Sequence, residues 1–172
     1  MKWKLMDIAS IAEVVGAVAI VVSLIYVGVE VNDSTRAVRS ATANETTTSI
    51  SLWYNNIGSD TQVAELFARG MANPESFQPG EQLQFYYLLH SIMLQLQAAY
   101  YLSEEGTLDP ELSESLTNVI AGVRETSGFR EYWAGRQSLF RRTFREYVDD
   151  VMEHGTTNTA IESLYPSDGP VR

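Results

Sequence analysis

The residues able to do chemistry are few: the chain has two histidines and no cysteine. His90 lies in an aromatic run with Tyr86, Tyr87 and Met93, and Tyr101 follows at helical spacing. Tyr86, Tyr87, His90 and Tyr101 are therefore the candidate lining of a small-ligand pocket between helices, with phenol and imidazole groups to orient the ligand. Core packing, with His90 bonded to a neighbouring side chain, is the competing reading of the same residues. His154 follows Asp150 at i, i+4, with Asp149 and Glu153 close by. That spacing can seed a divalent-cation site, but it also describes a solvated helix end where His favours the helix dipole. The solvated end is the reading taken, so no metal ligand is assigned.

Arg130, Arg136, Arg141, Arg142 and Arg145 interleave with aromatic residues. Such interleaving can bind single strands. Here Glu131, Glu146, Asp149 and Asp150 offset the charge, and the aromatics keep a helical spacing. Ion pairs, stacking on rings or contact with anionic headgroups are expected of these arginines instead. The formal net charge of −10 also argues against a nucleic-acid surface. Without Cys there are no disulfides, thiolate metal sites or Cys nucleophiles. No phosphate-binding Gly-rich loop, Gly-x-Ser-x-Gly elbow or zincin His pair occurs. Neither a cofactor nor a catalytic residue is expected.

The elements that position these residues read as helices throughout. Gly58-Ser59-Asp60 is a turn with a cap, and Val63, Leu66, Phe67 and Met71 form a stripe that stops at Asn73-Pro74. The strongest helix runs from Glu81 to about Ser103, closed by Gly106 as a left-handed cap. Asp109-Pro110 starts the next helix, with Asp as cap and Pro at the first position, and Ser127-Gly128 ends it. One last helix is expected from Phe129 to Glu153.

All of this hangs from the N-terminal stretch, which is free of charge from Val14 to Val29. With its flanks it reaches the ~20 residues that cross a bilayer. A cleaved secretory signal has a shorter apolar run and a cleavage site, and neither fits; an uncleaved signal anchor and a buried core helix remain as alternatives. Trp3 and Tyr26 sit near the two interfaces. Lys2 and Lys4 on one side balance Arg36 and Arg39 on the other, so the positive-inside rule is tied. A cytoplasmic C-terminal domain is the orientation taken, with which the lack of Cys is compatible.

Alternating steps of three and four along this stretch pick out Ala9, Ala12, Gly16, Ala19, Ser23, Tyr26 and Glu30. Such a small-residue seam lets helix backbones approach in lipid, and its heptad step implies a left-handed crossing. The run Thr42–Ser51 is rich in mediocre helix formers, so a break is conceivable there.

The expectation is an all-α chain: a single N-terminal transmembrane helix, extended as a stalk, followed by a bundle of about four helices. The divisions are an anchor over 1–31, a stalk over 32–57, a bundle over 58–154, and a surface or disordered tail over 155–172. Three stretches carry a resemblance: Glu13–Val29, Asn32–Arg39, and Phe129-Arg-Glu-Tyr-Trp133 followed by Phe140. Together they resemble a family of small uncharacterised bacterial proteins with one N-terminal membrane helix and a helical domain. The resemblance implies an inner-membrane location and assigns no activity. The expected function is a membrane-anchored assembly or interaction protein, partnering lipid and, through the seam, itself or a subunit of a membrane complex. A membrane-anchored ligand sensor with the tyrosine-lined pocket is the alternative, and an enzyme is the third class.

Overall fold

The computed structural model describes residues 2–156, with side chains from residue 12 onward. Ala9 of the seam and the tail from residue 157 lie outside the described side chains. The described chain is all-α: α1 (Lys2–Gly58), α2 (Thr61–Ala72), α3 (Glu81–Glu104), α4 (Pro110–Val123), α5 (Ser127–Arg136) and α6 (Arg142–His154). Short 3-10 turns at Pro74–Ser76 and Gln137–Leu139 complete it, and no strand occurs among the described residues. Two compact units divide the chain, one up to Ala41 and one from Thr42.

The first unit is a helical segment alone. Its side chains from Ala12 to Ala41 are all exposed. The helix is long and apolar enough to cross a membrane, with a window of mean hydropathy 2.4 of which 0% is buried. At ~1.5 Å per residue, a bilayer's ~30 Å takes about 20 helical residues, which the part of α1 within the first unit supplies.

The possible break at Thr42–Ser51 does not occur; α1 is continuous. Ser and Thr disfavour helix because their hydroxyls compete for the backbone, and tertiary packing overrides that preference here. Thr42, Ala43, Thr46, Ser49 and Ile50 are partly buried, and Trp53 is buried. The segment expected to be a stalk over 32–57 therefore contributes its last turns to the second unit's core. Trp53 donates its indole N–H to the Leu88 carbonyl of α3 at 2.8 Å and meets the edge of Phe67 of α2 at 5.4 Å.

In the second unit the caps form as the residue types demand. Asp60 accepts from the backbone N–H groups of Gln62 (2.8 Å) and Val63 (3.3 Å), and Asp109 from those of Glu111 (2.9 Å) and Leu112 (3.4 Å). Gly106 takes φ 69° after α3, the left-handed geometry that Gly adopts without strain. Glu81, at the start of α3, accepts from the backbone N–H of Gln78 and from Arg69, both at 2.7 Å. Those bonds hold its carboxyl below the usual carboxylate range.

Two expectations about the last helices are corrected. α4 ends at Val123, so Thr126-Ser127-Gly128 opens α5. The single helix expected from Phe129 to Glu153 is two, because α5 packs on α2 while α6 packs on α4, and the chain must turn between them. At the turn Phe140 is extended (φ −103°, ψ 159°). The freed backbone N–H of Arg141 is taken up by Gln97 Oε1 of α3 at 3.0 Å.

α2 and α5 meet without side chains between them. A Cβ on Gly128 would collide with the Gly70 carbonyl oxygen and lie 2.9 Å from Met71 Cα; a Cβ on Gly70 would lie 2.5 Å from Phe77 and 2.6 Å from Phe85. Since backbone cannot yield as a flexible side chain does, Gly128→Ala should destabilise the bundle by about 1–3 kcal/mol. Denaturant unfolding of the full chain in detergent measures this. Gly135→Ala, where a Cβ meets nothing within 4 Å, serves as the control and should change little.

Candidate functional site

Two places merit building from their residues: the tyrosine face of α3 and an apolar slot inside the bundle. On α3, Tyr86 and His90 are one turn apart and both reach Tyr132 of α5. His90 Nδ1 shares a hydrogen bond with the Tyr132 hydroxyl at 2.9 Å, and the Tyr86 ring meets that of Tyr132 at 5.8 Å. Tyr86 donates its hydroxyl to Glu131 at 2.9 Å, and the Arg136 guanidinium lies over its ring at 5.2 Å. Tyr101, toward the other end of α3, pairs with the Thr143 hydroxyl at 3.1 Å and carries the Arg141 guanidinium at 4.8 Å. Tyr87 is 66% exposed, on a shallow surface groove it shares with Leu83 and Trp53. The structure thus brings Tyr86 and His90 together around Tyr132, and holds Tyr87 and Tyr101 elsewhere.

The other candidates resolve similarly. His154 Nδ1 is 3.1 Å from Asp150 at an exposed helix end, and no group of three metal-ligating side chains occurs among the described residues. Arg130 pairs with Glu125, and Arg142 with Glu146 at 2.7 Å.

The slot is the feature that periodicity alone did not reveal. It is an apolar cavity of about 70 Å³ to which five helices contribute. Trp53 and Tyr54 come from α1, Phe67 and Met71 from α2, Leu89, Ile92, Met93 and Leu96 from α3, Val119, Ile120 and Val123 from α4, and Phe129 from α5. Most of these belong to helical stripes evident in the sequence; their convergence depends on how the helices cross. The volume is far below the ~300–1,000 Å³ of pockets that take drug-sized ligands. It suits the tip of one aliphatic side chain. None of Tyr86, Tyr87, His90 and Tyr101 lines it.

Tyr132 is the most consequential ionisable group in the core. It is 1% exposed, and burial pushes its phenol well above the ordinary value of 10.0. Burial raises Tyr86, Tyr100 and Tyr147 in the same direction. A raised phenol favours the neutral form in the folded state. Its contribution is full below the unfolded value and is lost as pH climbs above it toward the folded one. Bundle stability should therefore fall once pH passes 10.0. Tyr132→Phe should be less stable near neutrality by about 1–3 kcal/mol, because it leaves His90 unpaired, yet lose less on going alkaline. Unfolding followed by circular dichroism at the two pH values reads this; equal alkaline losses would assign the effect to other tyrosines. In comparisons with known proteins, no family model, no curated protein and no solved structure matches the chain.

Proposed function

We propose that the protein is a single-pass membrane protein of the bacterial inner membrane that serves assembly rather than catalysis. In this reading α1 crosses the bilayer and pairs with a copy of itself or with a helix of a larger complex, and the bundle sits in the cytoplasm. One observation carries the reading: among the described residues, the apolar side chains of α1 up to Val31 are exposed. Val14, Val15, Val18, Ile20, Val21, Val22, Leu24, Ile25, Tyr26, Val27, Val29 and Val31 are each more than half exposed. Covering twelve such side chains is worth roughly 20–35 kcal/mol at ~1.5–3 kcal/mol each, beyond the ~5–15 kcal/mol that holds a domain folded. A soluble core helix would bury them within the chain; lipid covers them on all sides.

The seam supplies the assembly element. Ala12, Gly16, Ala19, Ser23, Tyr26 and Glu30 are exposed, and a Cβ on Gly16 meets nothing within 4 Å. In lipid, association depends on close backbone approach, which small residues permit. Glu30 and Glu13 flank the span, where a carboxylate turns toward protein or water. The bundle supports the non-catalytic part of the reading, since the polar groups of Tyr86, His90, Tyr101 and Asp150 are engaged with neighbouring side chains.

Alkaline carbonate should leave the protein in the membrane pellet, and deletion of residues 1–31 should release a soluble helical domain. Because alkali loosens the bundle, retention there reports α1 itself, and full extraction would end the anchor reading. A single Cys at Ser59, exposed after α1, should resist an impermeant maleimide in intact cells. Gly16→Leu with Ser23→Leu keeps the span apolar, so insertion should survive while in-membrane crosslinking falls. Unchanged crosslinked species would remove the seam as the interface.

A further inference from the structure

We propose that the face made by α3 and the last turns of α1 docks the bundle of one chain onto the bundle of a second copy. This goes beyond the pairing of α1 in lipid. Every residue of the face lies in the unit that begins at Thr42, so the inference stands whether or not α1 crosses a membrane.

The first observation is an exposed apolar stripe. Leu83, Tyr87, Ser91, Leu94 and Ala98 follow one another along α3 in steps of four or three, and all are exposed, Tyr87 by 66%. The end of α1 adjoins them. Leu83, Tyr87 and Ser91 share a groove with Trp53 and Asn56, and Leu52, 64% exposed, stands one turn before Asn56. Trp53 ties the two helices through the Leu88 carbonyl at 2.8 Å, so the face is already formed in the single chain.

The second observation is that this face carries no charge. Between Glu45 and Asp60, and again between Glu81 and Glu104, the sequence has no Asp, Glu, Lys or Arg. By contrast α2, α4, α5 and α6 each expose at least two charged residues. A solvated helix face ordinarily holds charged side chains, whereas the centre of a protein interface is depleted of them and enriched in tyrosine.

The charge balance selects the occupant. An anionic membrane surface is held by Lys and Arg, which both stretches lack. A charged partner protein would be met by opposite charge. A second copy carries the same net charge of −10, so it can approach only through a face that adds no like charges to the contact. The area suffices as well. The 24 residues of α3 run ~36 Å and the adjoining turns of α1 ~20 Å; at ~10 Å of width for each helix, two copies joined there bury roughly 1,100 Å² in all. A specific interface needs ~1,000 Å².

The native chain has no Cys, so a single introduced thiol reports without background. In intact cells holding full-length Ser91→Cys, a short membrane-permeant bis-maleimide should link two chains. Ser115→Cys, exposed on α4, should link at least tenfold less. Adding Leu83→Glu with Leu94→Glu to Ser91→Cys should lower linking at least tenfold while the purified protein keeps its helical circular dichroism, since both positions are exposed. Linking that does not form, that is equal at Ser91 and Ser115, or that survives the two glutamates overturns the proposal. So does linking of Ser91→Cys mainly to a different protein, which would give the face to that partner. In the Gly16→Leu, Ser23→Leu background Ser91 linking should persist. Its loss there would mean that α1 alone holds the copies, which overturns this inference and leaves the seam standing. Failure of the seam would leave Ser91 linking unchanged, so the two readings fail separately. Purified in detergent, the same seam variant with Ser91 restored should show a dimer fraction that rises with salt, as like charges around the face are screened. A fall with salt would mark a charge-held contact and overturns the proposal.

Discussion

No Cβ fits where α2 crosses α5, and the bundle is arranged around that constraint. Gly128 sits on the Gly70 carbonyl, and Phe77 and Phe85 close over Gly70 from the other side. Two helices that approach this closely leave no room for water. Met71 and Phe85 are wholly buried beside the contact, and Phe129 nearly so. Close-packed interiors transmit any added volume to their neighbours rather than absorbing it. The position of α2 therefore sets where Phe67 stands, and Phe67 in turn meets the edge of Trp53, through which the end of α1 joins α3. The slot is what remains where these aromatic groups and α4 fail to meet completely.

The core relies on shape rather than charge. Its buried members are apolar or aromatic, and no polar or charged residue other than the phenol of Tyr132 is wholly enclosed among the described residues. Charges stay outside and work at the rim, where Arg136 and Arg141 spread over the rings of Tyr86 and Tyr101. A guanidinium loses less hydration than an ammonium on such contact, which is why arginine suits it. This arrangement separates two tasks: aromatic packing sets the helix crossings, and the arginine rim keeps half-buried phenols covered.

Much of this was legible in the residues. Asp60, Gly106 and Asp109-Pro110 each do locally what their chemistry requires, so element boundaries there followed from sequence. The apolar length of α1 was equally plain, because its character needs no partner to define it. The break between α5 and α6 was hidden, since Trp133, Phe140, Phe144, Tyr147 and Val151 keep a spacing that suits an unbroken helix as well. Only the different partners of the two halves reveal it. The Trp53 bond was hidden because its acceptor is a backbone carbonyl, which every residue carries. Tyr86 and Tyr87 invited grouping as a pocket, yet adjacent helical residues point about 100° apart, so one faces α5 and the other solvent. The slot needed five crossings at once, and no single stripe encodes it.

The irregular joint between α5 and α6 has a consequence for how the bundle opens. Gln137 N–H still donates to the Trp133 carbonyl, Phe140 N–H closes a 3-10 turn on Gln137, and the Arg141 carbonyl accepts from Arg145, while the Arg141 amide is held by one side-chain acceptor at the surface. Leu139 in the same joint is 63% exposed. Phe140 pins the joint to the core beside Trp133 and Phe144, so opening there concerns the exposed Leu139 and the Arg141 amide, since lone hydrogen bonds at the surface exchange first. Arg136, Arg141 and Arg142 flank the joint and are exposed, so a protease that cleaves after arginine finds targets on either side of it. A cut at that joint would separate α6 and the segment after it from α5 while leaving the Gly70–Gly128 contact whole. Loss of α6 would take Phe144, Val148 and Val151 out of the core and uncover the face of α4 that they cover, so a cut at the joint bears on the core as a whole.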